Sequence, residues 1–160
     1  MKRKLLSIVL ALTMALGMLP AAALAETTKS CPGDESWTHQ AAIGNTHYDT
    51  LKDAIDAAKK KDEIKLLQDI TENVTISTPY VTLDLNGHTL NGSTGERKPA
   101  LTITERYVTI KDSSEGQTGT IMREDTAENS GVSSHYVIDV QGSGWLTFES
   151  GTVKNGSGAG

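Results

Sequence analysis

NVTISTPYVTLDLNGHTLNG, residues 73–92, carries a pattern that returns twice further along the chain. Tyr80-Val81-Thr82-Leu83-Asp84, Tyr107-Val108-Thr109-Ile110-Lys111 and Trp145-Leu146-Thr147-Phe148-Glu149 each run aromatic, aliphatic, threonine, large apolar, charged. Alternation at period 2 marks a half-buried strand. A shorter alternating run precedes each copy: Val74 and Ile76, Leu101 and Ile103, Ile138 and Val140. A small strand with Leu90, Ile121 or Val153 as its apolar residue follows each. Three short strands per repeat, with one repeat stacked on the next, describe a coil of a parallel β-solenoid.

Stacking in register would place each side chain about 4.8 Å above its counterpart. Val81, Val108 and Leu146 then form one inward column, and Leu83, Ile110 and Phe148 a second. Thr82, Thr109 and Thr147 form an outward threonine ladder, suited to an exposed pleated surface. The next outward column reads Asp84, Lys111, Glu149. Its two carboxylates would stand roughly 9.6 Å apart, too far to share a cation whose oxygen ligands lie at about 2.3–2.6 Å. A surface ion-pair ladder is the reading. The interval from Tyr107 to Trp145 is longer than that from Tyr80 to Tyr107, so the variation belongs to turns. The turns from Gly92 to Pro99 and from Arg123 to His135 leave one corner, and Ser113 to Thr118 sits at another.

At the N-terminus, Lys2, Arg3 and Lys4 precede an uncharged run from Leu5 to Leu19, and Ala23-Leu24-Ala25 supplies the small residues of a signal-peptidase site. The run stops at Pro20 and is short for a membrane anchor, which needs about 20 residues. Residues 1–25 are therefore expected to be a secretory signal peptide and 26–46 a polar leader, partly disordered, with 47–160 forming the fold. Cleavage removes three of the 15 basic residues and none of the 20 acidic ones, taking the net charge from −5 to −8. That balance argues against nucleic acid and anionic membranes as partners. The mature stretch, 26–160, is long enough for one domain and not for two.

One cysteine, Cys31, closes no internal disulfide, so the stacked core must supply stability outside the cell. Cys31 and His39 are the soft ligands nearest each other in sequence, with His47 nearby; a zinc site asks for four, and neither metal nor cofactor is expected.

Asp49-Thr50 opens the one helical stretch. Thr50 is placed to cap it with Asp53 three residues on, and Leu51, Ala54, Ile55 and Ala58 share a face. Lys59, Lys60 and Lys61 would close it at the negative end of the dipole, and a strand from Glu63 to Leu67 follows. An amphipathic helix ahead of the first coil would cap the open apolar end of a solenoid. Asn86-Gly87, Asn91-Gly92 and Asn155-Gly156 read as tight turns. The sequons at Asn73, Asn91 and Asn155 read as turn chemistry rather than glycosylation.

Tyr48-x-Thr50-Leu51-x-x-Ala54-Ile55-x-Ala57-Ala58, Glu63-Ile64-Lys65-Leu66-Leu67 and Val81-Thr82-Leu83-Asp84-Leu85-Asn86-Gly87-His88-Thr89-Leu90 resemble the N-terminal cap and first coils of pectate-lyase-like parallel β-helix proteins. More narrowly, they resemble secreted or surface proteins of Gram-positive bacteria. The resemblance implies a mainly β fold: a right-handed parallel β-helix of about three coils with an N-terminal amphipathic capping helix. Ser157-Gly158-Ala159-Gly160 stop where a further coil would begin, so an N-terminal piece of a longer protein, or a truncated product, is expected. The strand around Trp145 to Val153 would then be an uncapped edge.

That fold hosts lyases, hydrolases, adhesins and structural stalks. No nucleophile motif is present, so the expected function is a non-catalytic extracellular module for adhesion, display or glycan contact, with an extracellular glycan or cell-wall polymer as partner. The alternative is a fragment of a polysaccharide lyase or glycoside hydrolase. Its candidate residues are Glu96 and Arg97 on one loop facing Glu124, Asp125 and His135 on the next. Two carboxylates about 5–9 Å apart would serve as acid and base on a glycosidic bond.

Overall fold

The structure is a computed structural model that describes residues 39–93, 98–124 and 136–156. The expected signal peptide and Cys31 lie outside them.

In chain order the elements are β1 (Ala41–Ile43), β2 (Thr46–Tyr48), α1 (Leu51–Ala57), β3 (Glu63–Leu66), β4 (Ile70–Thr71), β5 (Val74–Ile76), β6 (Thr82–Asp84) and β7 (Thr89–Asn91). There follow β8 (Leu101–Ile103), β9 (Val108–Lys111), β10 (Thr120–Glu124), β11 (Ile138–Val140), β12 (Leu146–Phe148) and β13 (Thr152–Gly156). The fold is mainly β, with parallel sheets and one helix.

From β3 onward the chain visits three sheets in rotation. A long sheet has the order β12-β9-β6-β3-β1-β2, a four-stranded sheet β13-β10-β7-β4, and a three-stranded sheet β11-β8-β5. Every pairing from one circuit to the next is parallel and in register. Thr82 lies over Thr109 and Thr109 over Thr147, the expected threonine ladder. Leu146 is paired with Val108, and the Thr109 N–H donates to the Val81 carbonyl at 3.0 Å, so Val81, Val108 and Leu146 are superposed. Ile64, Leu83, Ile110 and Phe148 form the second inward column. Ile70, Leu90, Ile121 and Val153 line the four-stranded sheet, and Val74, Leu101, Ile138 with Ile76, Ile103, Val140 the three-stranded one. Burying such side chains stabilises by about 1.5–3 kcal/mol each, which is what holds such short strands in place.

One end of the stack is closed. β1 lies antiparallel on β3, with Ile43 opposite Ile64 and Ala41 opposite Leu66, and β2 lies antiparallel on β1. Leu51, Ala54 and Ile55 of α1 are buried in the common core. A seven-residue helix is too short to stand alone, and its first turn is fully capped. Thr50 Oγ1 accepts the Asp53 N–H at 3.0 Å, Gln40 Oε1 the Leu51 N–H at 3.1 Å, and Glu72 Oε2 the Lys52 N–H at 3.2 Å.

The structure departs from the sequence reading in several places. β1 and β2 fall at the edge of the stretch read as leader. The helix ends at Ala57 with no basic residue in its last turn. Lys59 to Lys61 instead form the turn into β3, where Asp62 Oδ2 accepts the Lys59 N–H at 2.8 Å and Lys61 takes φ 75°. Asn86-Gly87 is a left-handed turn (φ 47° and 82°), but Asn91 closes β7 and Asn155-Gly156 closes β13. Gly92 is needed for close approach, since a Cβ there would lie 2.5 Å from Ala100 Cα. The column of Asp84, Lys111 and Glu149 is in register but is not a surface ladder. Asp84 is fully buried, and Lys111 Nζ bonds Glu63 Oε2 at 2.6 Å. Phe148 points inward yet is 39% exposed, because among the described residues no strand lies beyond β12.

Candidate functional site

Three corners join the three sheets, and each carries different chemistry. Where the long sheet turns into the four-stranded sheet, two carboxylates are buried. Asp84 Oδ1 accepts the N–H groups of Asn86 (3.0 Å) and Ser113 (2.9 Å), and Oδ2 accepts the Ser113 hydroxyl at 2.7 Å. Lys65 Nζ stands 3.6 Å from Oδ2. Asp112 Oδ1 accepts the N–H groups of Gly87 (2.9 Å) and Ser114 (3.0 Å), and Oδ2 accepts that of Gly119. Gly119 has no room for a Cβ, which would meet Asp112 Oδ2 at 2.6 Å and Leu85 Cβ at 2.5 Å. One level on, Ser150 Oγ accepts the Asp112 N–H at 2.7 Å.

The bonds from Ser113 to Asp84, from Gly87 to Asp112 and from Asp112 to Ser150 run from one level of the stack to the next, while those from Asn86, Ser114 and Gly119 close turns within a level. Burial pushes both aspartates up, but the N–H and hydroxyl donors outweigh it and hold both below the ordinary carboxylate value; Lys65 adds to the effect at Asp84. A general acid or base needs a pKa near the working pH and a lone pair turned to substrate. Asp84 and Asp112 have the opposite character: they are anionic staples of the corner.

The second corner, from the four-stranded to the three-stranded sheet, is where both long loops leave, between β7 and β8 and between β10 and β11. The expected common corner is present. Glu96, Arg97, Asp125 and His135 lie outside the described residues, as does the side chain of Glu124, whose backbone pairs with Gly156. The described rim is tied down from below. Asn73 Nδ2 donates to the carbonyls of Gly92 (2.8 Å) and Pro99 (2.9 Å), a structural use of the first sequon asparagine. The buried Arg123 side chain donates to the Lys98 carbonyl.

At the third corner, from the three-stranded to the long sheet, the aromatic residue of each repeat stands outward. Tyr80 and Tyr107 are stacked with centroids 4.8 Å apart and planes at 29°, and Trp145 continues the column at 6.2 Å and 30°. Lys60 Nζ sits 4.2 Å from the Tyr80 centroid, a cation closing the near end of the column. The rings are 41%, 47% and 62% exposed in that order. Lys61, Tyr80 and Tyr107 share a left-handed backbone, φ 75°, 61° and 62°. Tyrosine at such a φ costs roughly 1–2 kcal/mol against glycine, yet the position holds tyrosine twice. The repeated offset, two residues before each ladder threonine, is visible in the sequence; the direction of the rings is not.

Elsewhere His39 Nδ1 lies 2.7 Å from Asp49 Oδ1. Among the described residues no three His, Cys, Asp or Glu side chains gather in a metal-binding arrangement, and no helix is long and apolar enough to cross a membrane. Comparison with protein-family models, with curated proteins and with solved structures found no match.

Proposed function

We propose that this chain is a non-catalytic, secreted or cell-surface module built as a right-handed parallel β-helix of the pectate-lyase-like type, serving adhesion, display or glycan contact. The observation that carries the reading is the contrast between corners. The buried carboxylates are committed to backbone donors, while the solvent meets a column of aromatic rings beside a threonine ladder. Exposed aromatic rings and hydroxyls repeating along the stack, about 4.8 Å apart, suit a polymer whose units alternate C–H faces and hydroxyls. Extracellular glycan or cell-wall polymer is that class of partner.

The reading is tested by affinity electrophoresis through gels containing cell-wall polysaccharide or uronate polymers. Retardation of the wild type, weakened about tenfold by Tyr107→Ala, is expected from the loss of one ring contact. The alternative, a polysaccharide lyase or glycoside hydrolase, draws support from the two long loops sharing one corner. Assay against uronate polymers with and without calcium separates the two. Turnover that is lost in Glu124→Gln or Arg97→Ala would overturn the non-catalytic reading. Export is checked by N-terminal sequencing of protein recovered from the medium, with Glu26 expected first.

A further inference from the structure

We propose that Tyr80 and Tyr107 are a site of oxidative modification, coupled ring to ring by a one-electron oxidant into a covalent staple between two levels of the stack. The inference goes beyond the glycan reading and does not depend on a polymer lying along the rings.

The two phenols are placed for it. Tyr80 and Tyr107 share one left-handed backbone conformation, φ 61° and 62°, so their side chains leave the corner in the same direction. The Tyr80 N–H donates to the Arg106 carbonyl at 3.1 Å, which holds the two backbones one strand spacing apart beside the rings themselves. The ring centroids stand 4.8 Å apart with planes at 29°, and both rings are exposed. Stacking needs only a ring, which phenylalanine would supply; tyrosine at both levels adds an oxidisable phenol. Of the other two tyrosines, Tyr48 packs against the core from β2 and Tyr136 stands just ahead of β11, at a different corner. Trp145 continues the column by a longer step, 6.2 Å from Tyr107, so the tyrosine pair is the closer one.

The chemistry balances with a peroxide as the oxidant, acting through a haem peroxidase. Each phenol gives up one electron and one proton, and the pair of phenoxyl radicals forms a carbon–carbon bond between ring positions ortho to the oxygens. The hydrogen displaced from each ortho carbon moves to its oxygen and restores the phenol. The chain loses two hydrogen atoms in all, and one hydrogen peroxide is reduced to two waters. Bond formation needs the stacked rings to turn until their ortho carbons meet, a rotamer motion that exposed side chains make in picoseconds to nanoseconds. Rings already in contact react at an effective concentration far above that of separate chains, so coupling stays within one molecule.

The bond would do what the cysteine content forbids. Cys31 is the single cysteine, so no disulfide within the chain can tie one level to the next. A Tyr80–Tyr107 link joins the turn before β6 to the turn before β9 and closes residues 80–107 into a loop, restricting the unfolded chain as a disulfide does. The export proposed above brings the exposed pair to an oxidising medium.

The test treats the purified chain, at low concentration, with a haem peroxidase and limiting hydrogen peroxide. Wild type is expected to gain dityrosine fluorescence while remaining monomeric and two hydrogen atoms lighter, with proteolysis and mass spectrometry joining the Tyr80 peptide to the Tyr107 peptide. The coupled protein should unfold at a higher urea concentration than the untreated one. Tyr80→Phe and Tyr107→Phe keep the stacked rings, and circular dichroism should show them folded; each should lose the intramolecular product, whereas Tyr136→Phe should retain it. Links formed only between chains, links through Tyr136 or Trp145 in place of the pair, oxidised Trp145 with no coupled tyrosine, a product that survives Tyr107→Phe, or an unchanged urea midpoint overturns the proposal.

Discussion

The corner holding Asp84 and Asp112 and the corner holding Tyr80, Tyr107 and Trp145 are two turns of one repeat, yet they are stabilised by different physics. At the first, donors from an aspartate's own turn and from a neighbouring level converge on buried anions: Ser114 lies two residues from Asp112, whereas Gly87 to Asp112 spans 25 residues. At the second, rings stack in solvent over a left-handed backbone that opposes them. The difference teaches where change is tolerated. A buried anion with three backbone donors allows no substitution without stranding N–H groups, whereas an exposed ring loses only contact area.

The largest break in this comparison is expected from Asp112→Ala. It leaves the N–H groups of Gly87, Ser114 and Gly119 without their acceptor, and at about 1–3 kcal/mol for each buried unsatisfied group the loss should reach at least about 3 kcal/mol in urea unfolding. A loss no greater than that of Tyr107→Ala would erase the distinction between the corners.

Of the two corners, acid should act on the first. Both aspartates have folded values below the unfolded one of about 3.9. Their contribution is therefore complete above about pH 4 and is lost as the pH falls through the folded values. Glu72, raised chiefly by burial, acts in the opposite sense: its proton is held more tightly in the folded chain, so it offsets part of the loss. Urea midpoints measured from pH 6 down to pH 2 should fall below pH 4, and the dependence should flatten in a chain lacking both aspartates if that chain still folds.

At the aromatic corner, Tyr107→Ala should cost about 1 kcal/mol for its ring contacts. Tyr107→Gly sharpens the point: at φ 62° glycine escapes a penalty of about 1 kcal/mol that alanine retains, so the glycine variant should be at least as stable as the alanine one. The smallest effect, about 0.5 kcal/mol, is expected for Lys60→Ala at the exposed end of the column. A loss there exceeding that of Tyr107→Ala would mean that the cation does more than sit on a ring.

The inward columns are legible because period 2 survives wherever a strand is straight, and three pentapeptides share the same order of residue types. Alternation misleads where the strand stops. Asp84 is the last residue of β6, and its carboxylate turns into the corner toward Asn86 and Ser113, where alternation assigns it to solvent. β3 reads as a strand but not as a level of the stack. Glu63 is closer in sequence to its partner Thr82 than any later ladder residue is to the next, and Lys61 stands where the other levels have an aromatic. Two-residue β4 is too short to show any period. Asp112 does not stand out in the sequence because one of its donors, Gly87, lies 25 residues away and the bonds from Ser114 and Gly119 depend on how the following turn folds back. Of the catalytic candidates of the two long loops, only the backbone of Glu124 is described, and their roles rest on the sequence.

The claim that the buried carboxylates are scaffold rather than acid–base machinery is tested most directly by carbon-detected NMR titration of the Asp84 and Asp112 side chains in the folded protein. Both are predicted to stay ionised as the pH falls past about 3.9, each with its midpoint below that of an ordinary aspartate. A midpoint above it at either residue, and most plainly one near neutral pH, would contradict the account.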